Sequence, residues 1–389
     1  GTVALATNGS GNATVVNDVG LKLRHGSAVG GNLSAMAITG DITDSTYLNI
    51  TGTSLFTTKA KNAKIILDNS NNAFTGSISL NTKGLLANAV VDNGTTALII
   101  AASSVGGNLT LTSGDASGIT DSGTVTVGGN LAAKTDASNG EINMGTLAID
   151  GTIAVATNGK GNVTMINDVD FEFASSTIGG DLTATATSGD LLFKGFVKTI
   201  GDVVLRATDG SILNNNVRIV LDNIKGETVT LKAKNTIGKI TKELNINAKI
   251  LNASTTSKNP KSDINIFDRG DLVLAKVSTV NGNINIESDG PVRRKDVIAG
   301  GKGLVRIFDR ERIRIAAVTA AAKKKKRLAA MAAAINIPPP PTIQITPIAM
   351  PSSRSAAPTA AATPLIGVSK PAGGSSPASG GSSPASGGS

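Results

Sequence analysis

From residue 1 to about residue 318 the apolar positions fall in short runs of period two. Leu21 and Leu23 bracket Lys22, and Leu109 and Leu111 alternate with threonine. Ile264 and Ile266, Leu272 and Leu274, Ile284 and Ile286, and Ile313 and Ile315 each enclose a single residue. Such alternation marks strands with one buried face. Pairs that favour turns separate the runs: Asn8-Gly9, Asn93-Gly94, Asp209-Gly210, Asn281-Gly282 and Asp289-Gly290. Before residue 338 the only prolines are Pro260 and Pro291, as a body of paired strands requires.

The runs repeat. Residues 1–20 and 151–170 share 13 identical positions of 20. A shorter phrase, VGGNL, stands at Val29–Leu33, Val105–Leu109 and Val127–Leu131, with IGGDL at Ile178–Leu182 and a shortened form from Ile200. The steps from 105 to 127 and from 178 to 200 are both 22 residues, about one coil of a parallel β-helix with three strands per rung. Gly-Gly suits a sharp corner, Asn or Asp bonds to local backbone there, and Leu turns inward to start the next strand. Ile266-Phe-Asp-Arg269 and Ile307-Phe-Asp-Arg310 repeat 41 residues apart, close to two rungs. The reading is an all-β parallel β-helix (β-solenoid) of about fifteen rungs over residues 1–318.

Beyond 318 the composition changes. Residues 319–337 are rich in Ala and Lys, good helix formers, and read as a short helical cap on the open end of the solenoid. Residues 338–389 hold eleven of the thirteen prolines and end in SSPASGGSSPASGGS, an extended Pro/Ser/Gly-rich tail. Gly1 falls inside a repeat-like unit, which reads as a trimmed piece of something longer.

Composition narrows the chemistry. Aromatic residues make up 2%, Trp and Cys are absent, and His25 is the only histidine. Disulfides, Cys-ligated zinc, thiol catalysis, a His-based triad and a multi-His metal site are thereby excluded. No run approaches the ~18 apolar residues of a membrane span. Acids are scattered, mostly in turn contexts (Asp18, Asp168, Asp209, Asp289), and no Asp-Asp pair occurs. They read as turn formers rather than as the clustered carboxylates of a polysaccharide-cleaving site. Gly301-Lys-Gly303 lacks the spacing and the Ser/Thr of a phosphate loop. No catalytic residue, cofactor or metal site is assigned.

The net charge of +9 is concentrated after residue 290. Arg293, Arg294, Lys295, Arg312, Arg314, Lys323, Lys324, Lys325, Lys326 and Arg327 form the candidate contact site for an anion or partner. One reading is docking to an anionic glycan, a membrane surface or an acidic neighbour; the other is a charged gatekeeper that keeps solenoid ends from fusing. With base-stacking aromatics nearly missing, specific nucleic-acid binding is not expected. The two Phe-Asp-Arg copies read either as an anion or sugar site or, preferably, as a surface ladder of Asp–Arg pairs.

VGGNLTLTSGD (105–115) and IGGDLTATATSGD (178–190) resemble the repeats of filamentous haemagglutinin-like proteins, the large exoproteins of bacterial two-partner secretion. The resemblance covers about residues 1–290. It implies a right-handed parallel β-helix, secretion to the bacterial cell surface, and an adhesive or stalk-like role. The family's amino-terminal secretion domain is not found, and the tail after 316 is no part of the repeat pattern. Together these readings give a non-enzymatic extracellular structural or adhesive solenoid that self-associates into a fibre or coat. The alternative is a polysaccharide-binding or polysaccharide-processing β-helix.

Overall fold

Each alternating run becomes a strand and pairs in parallel with the runs one rung before and after. Leu109–Ser113 lies between Ala89–Asp92 and Leu131–Ser138, with Leu109 opposite Ala89 on one side and Leu131 on the other. In the computed structural model this pattern builds a parallel β-solenoid of about 14 turns, followed by one helix, Arg310–Ala334. The structure describes residues 1–24, 26–217 and 222–334. His25, residues 335–337 of the Ala/Lys-rich segment and the whole tail 338–389 lie outside them. Among the described residues, 32 strands join one continuous sheet. Ala28–Val29, Asn49–Ile50 and Ala73–Phe74 form a separate three-stranded one.

The core is a set of columns in which like stacks on like. One column runs through nine rungs: Leu98, Ile119, Ile142, Val163, Leu182, Val203, Val229, Leu251 and Leu274, each opposite the next. All nine are buried. The few aromatics also pack on each other. Phe173 lies 4.5 Å from Phe171 and 5.5 Å from Phe193, and Phe56 meets Phe74 edge to face at 5.9 Å. Rungs of aliphatic side chains are thin, so a core this long needs little aromatic volume.

The VGGNL phrase is explained at the corners. The N–H of Asn108 donates to Asn88 Oδ1 (2.9 Å), that of Asn130 to Asn108 Oδ1 (2.8 Å), and that of Thr152 to Asn130 Oδ1 (2.8 Å). Asn162, Asp181 and Asp202 extend the same ladder farther along. A glycine stands just before the donating residue and makes room for this bond at every one of these corners but the last, where Glu227 precedes Thr228. A Cβ on Gly129 would run into Asn108 Oδ1 and approach the Gly107 carbonyl oxygen to 2.8 Å. The VGGNL repeat thus records a contact between rungs, in which one rung's Asn meets the next rung's Gly.

One stretch departs from the sequence reading. Arg310–Val318, expected to end the solenoid as strand, is helical, and the last strand among the described residues is Val305–Asp309. Ile313-Arg-Ile315 alternates over only three positions, and the Ala/Lys run behind it favours helix. Asp309 supplies the start signal: its Oδ1 accepts the Arg312 N–H at 2.8 Å, an N-cap bond. The helix begins nine residues before the expected boundary. Residues 1–329 form one compact unit; of the second, only the helical residues 330–334 are described.

Gly129→Ala is expected to destabilise by about 1–3 kcal/mol, the usual cost of overpacking. Gly145 has nothing within 4 Å of an added Cβ, so Gly145→Ala is expected to stay within about 0.5 kcal/mol of the parent. Urea melts of the two variants check this; equal effects would remove the Gly–Asn contact as the cause.

Candidate functional site

At the carboxy-terminal end of the solenoid, as at its first rung, the core meets solvent. Val292–Ala299 pairs with Leu272–Thr279 below it, and Val305–Asp309 pairs with Ile284–Ser288. The inward residues Val292, Val297, Ala299 and Ile307 are only partly buried. In this last rung the aliphatic column ends. Arg294 stands opposite Leu274, at the inward position that an apolar side chain holds in the nine rungs before it. In the sequence only Val292 hints at this phase, since the next four residues are charged; pairing with Leu272–Leu274 fixes it.

Arg294 borders a chamber of about 490 Å³ with Val292, Ile307, Phe308, Asp309, Arg312, Ile313 and Ala316. The first two helical turns overhang the open core end here, and the described residues beyond them, to Met331, are exposed. The candidate basic residues therefore divide. Arg294 and Arg312 face the chamber. Arg293 lies outside it, in a hollow with Lys249, Asp271, Leu272, Val273 and Pro291. Lys295 is exposed on the same strand. Arg314 pairs with Glu311 at 3.1 Å. Lys323, Lys324, Lys325, Lys326 and Arg327 sit three turns and more along the helix from Arg312. Arg293, Arg294, Lys295 and Arg312 make no ion pair among the described residues.

A second basic feature was not singled out from sequence. Lys198 and Lys225 stand opposite each other on adjacent strands, an arrangement that like charges disfavour. They line a hollow of about 380 Å³ with Thr199, Gly226, Ala248 and Glu227, whose carboxylate pairs with Lys249 at 2.6 Å. It shares Lys249 and Asp271 with the hollow of similar volume that holds Arg293. The two make a trough that crosses successive rungs. Its signal is legible only once the register is known.

The two Phe-Asp-Arg copies do lie in register two rungs apart. Phe267 stands opposite Glu287 and Glu287 opposite Phe308; Asp268 faces Ser288, which faces Asp309. The structure corrects the expected ladder of Asp–Arg pairs. Arg269 pairs with Asp222 at 2.5 Å, and Arg310 with Glu287 and, at 3.1 Å, Asp289. Asp268 points inward, fully buried, and accepts N–H groups from Ala248 (3.1 Å) and Gly270 (2.9 Å). Asp309 repeats the role at the open end, accepting from Val292 at 3.1 Å. Asn167 does the same work in an earlier rung, accepting the Ile149 N–H at 2.8 Å. The Asp of the motif is a corner brace, and burial pushes the Asp268 carboxyl up to about 6.

Among the described residues no cluster of three or more His, Asp or Glu could hold a metal ion, and no helix is long and apolar enough to cross a membrane. A family model described as repeats of unknown function (DUF5649) matches residues 10–81, 87–145 and 160–223, about half of the chain. No curated protein and no solved structure matches the chain.

Two outcomes are expected at this end. From about pH 4 to 6 the folded chain holds a proton on Asp268 that the unfolded chain releases. Stability therefore falls as pH rises through that window, by about 3 kcal/mol for this group, and levels off above it. In Asp268→Asn this slope should vanish, so the variant gains on the parent by that amount between pH 4 and pH 7.5 in urea melts. Arg294→Leu should complete the apolar column and drive end-to-end association, read as a rise in mass by sedimentation velocity.

Proposed function

The chain belongs to this family of repeats, and on that premise we propose that it is a non-enzymatic extracellular solenoid with a structural or adhesive role. In this reading it is a rod at a bacterial cell surface, akin to filamentous haemagglutinin-like stalks. The observation that carries the proposal is the continuous core of about 14 stacked turns, whose strands alternate buried and exposed residues with, among the described residues, no second layer over the exposed face. Such a stack gives stiffness and a long repetitive surface. The basic end and the helix supply the contact site. Assembly into a fibre or coat would run through them and the tail 338–389, since Arg294 opposes direct stacking of cores.

The trough walled by Lys198 and Lys225 favours a second reading, in which the rod binds an anionic polysaccharide along its length. The two in-register cations would be relieved by a chain of negative charges laid across the rungs.

Electron microscopy of the full chain beside one ending at Asp309 tests assembly. Regular fibres from the full chain and single rods from the truncation are expected; single rods from both would remove the fibre reading. For the trough, dextran sulfate should bind and neutral dextran should not. Lys198→Ala with Lys225→Ala should weaken that binding about tenfold, measured by calorimetry at low salt.

A further inference from the structure

The last full rung ends in an unpaired sheet edge with a charge where its core should continue. Among the described residues Val292–Ala299 pairs only with Leu272–Thr279, so its other edge presents a row of main-chain N–H and C=O groups. One end of that row is already closed, since Asp309 takes the Val292 N–H. At Val292 and Arg294 the strand borders the chamber that the first helical turns also line. A further strand laid on this edge would place one side chain over Arg294, facing the solenoid axis, just as Arg294 lies over Leu274.

The chemistry of that position selects the occupant. An aliphatic residue there would bury Arg294 without a counter-charge, which is strongly unfavourable. The first rung of a second copy carries Val3, Leu5, Ala13 and Val15 on its inward side and is therefore a poor fit. A carboxylate would pair with Arg294, and Arg312 stands across the same chamber without an ion pair among the described residues. Arg293 and Lys295 flank Arg294 on the strand, exposed. A polysaccharide could meet the charges but not the strand edge, whose N–H and C=O groups match another extended backbone.

We propose that this edge binds an extended acidic segment of a partner polypeptide as one more strand of the solenoid, with a carboxylate seated over Arg294. The proposal rests on reading the basic carboxy-terminal end as a contact site, and names its partner.

The test uses the full chain and a fluorescein-labelled ten-residue peptide of alternating Glu and Thr, followed by anisotropy. A second peptide of the same sequence carries methyl groups on alternate backbone nitrogens along one edge, with each edge tried in turn. Saturable binding of the plain peptide is expected. Methylation along the pairing edge should weaken it at least tenfold, as should Arg294→Glu. Lys160→Glu, the same charge change far from this end, should leave it within twofold. Arg294 is exposed, so circular dichroism should show the variant folded. Strand docking is overturned if both methylated peptides bind as well as the plain one, if Arg294→Glu has no effect, or if dextran sulfate binds while the peptide does not. In those cases the basic end remains a contact site. Absence of binding by both peptide and dextran sulfate overturns that reading as well.

Discussion

The bond from a corner Asn or Asp to the backbone N–H of the following rung is the constraint on which the rest of the solenoid depends. At most of these corners a glycine precedes the donating N–H and its missing Cβ leaves room for the bond, as Gly129 does for Asn108 and Gly151 for Asn130, while Ala63 and Glu227 hold that place before Lys64 and Thr228. Once that contact is made, register is set, because a slip of one residue would turn every inward side chain outward. The aliphatic columns follow from the register. Each rung then completes the burial of its apolar face by stacking on its neighbours, and no rung has a sufficient core of its own.

This explains why so much of the fold was legible in the chain and why certain parts were not. The corner contact writes itself into the sequence as VGGNL at one-rung spacing, and the buried face writes itself as alternation. Both are local, and both lead to the parallel solenoid. The spacing of the Phe-Asp-Arg copies was local too, and their register came out as that spacing predicts. The role of Asp268 was not local. Its inward orientation follows from standing opposite Ile246 and Ser288, in strands some twenty residues away on either side. Arg294 and the Lys198–Lys225 pair belong to the same class, since their meaning lies in what they stack on. The helix start at Arg310 was missed for another reason: three alternating residues cannot outweigh twenty good helix formers and a capping aspartate.

The two kinds of position divide the labour of the molecule. Rungs are variations on one pattern, and the 13 identical positions of 20 between residues 1–20 and 151–170 reflect that. Individuality sits where stacking is interrupted or decorated: the terminal arginine, the overhanging helix with its chamber, and the cationic trough. A protein of this design can keep its scaffold constant while its end and one of its faces change chemistry.

The direction of the inter-strand hydrogen bonds has a mechanical consequence. Strands run around the axis, so the bonds between rungs lie along it, and a pull on the two ends loads the rungs in series. The outermost rung gives way before its neighbour, with no need for the whole stack to shear at once. A rung occupies about 4.8 Å of axis when stacked, yet its 22 or so residues can stretch to roughly 70 Å when freed. Under load the stack would pay out chain one rung at a time, dissipating work while the remaining rungs stay folded and ready to take the freed segment back.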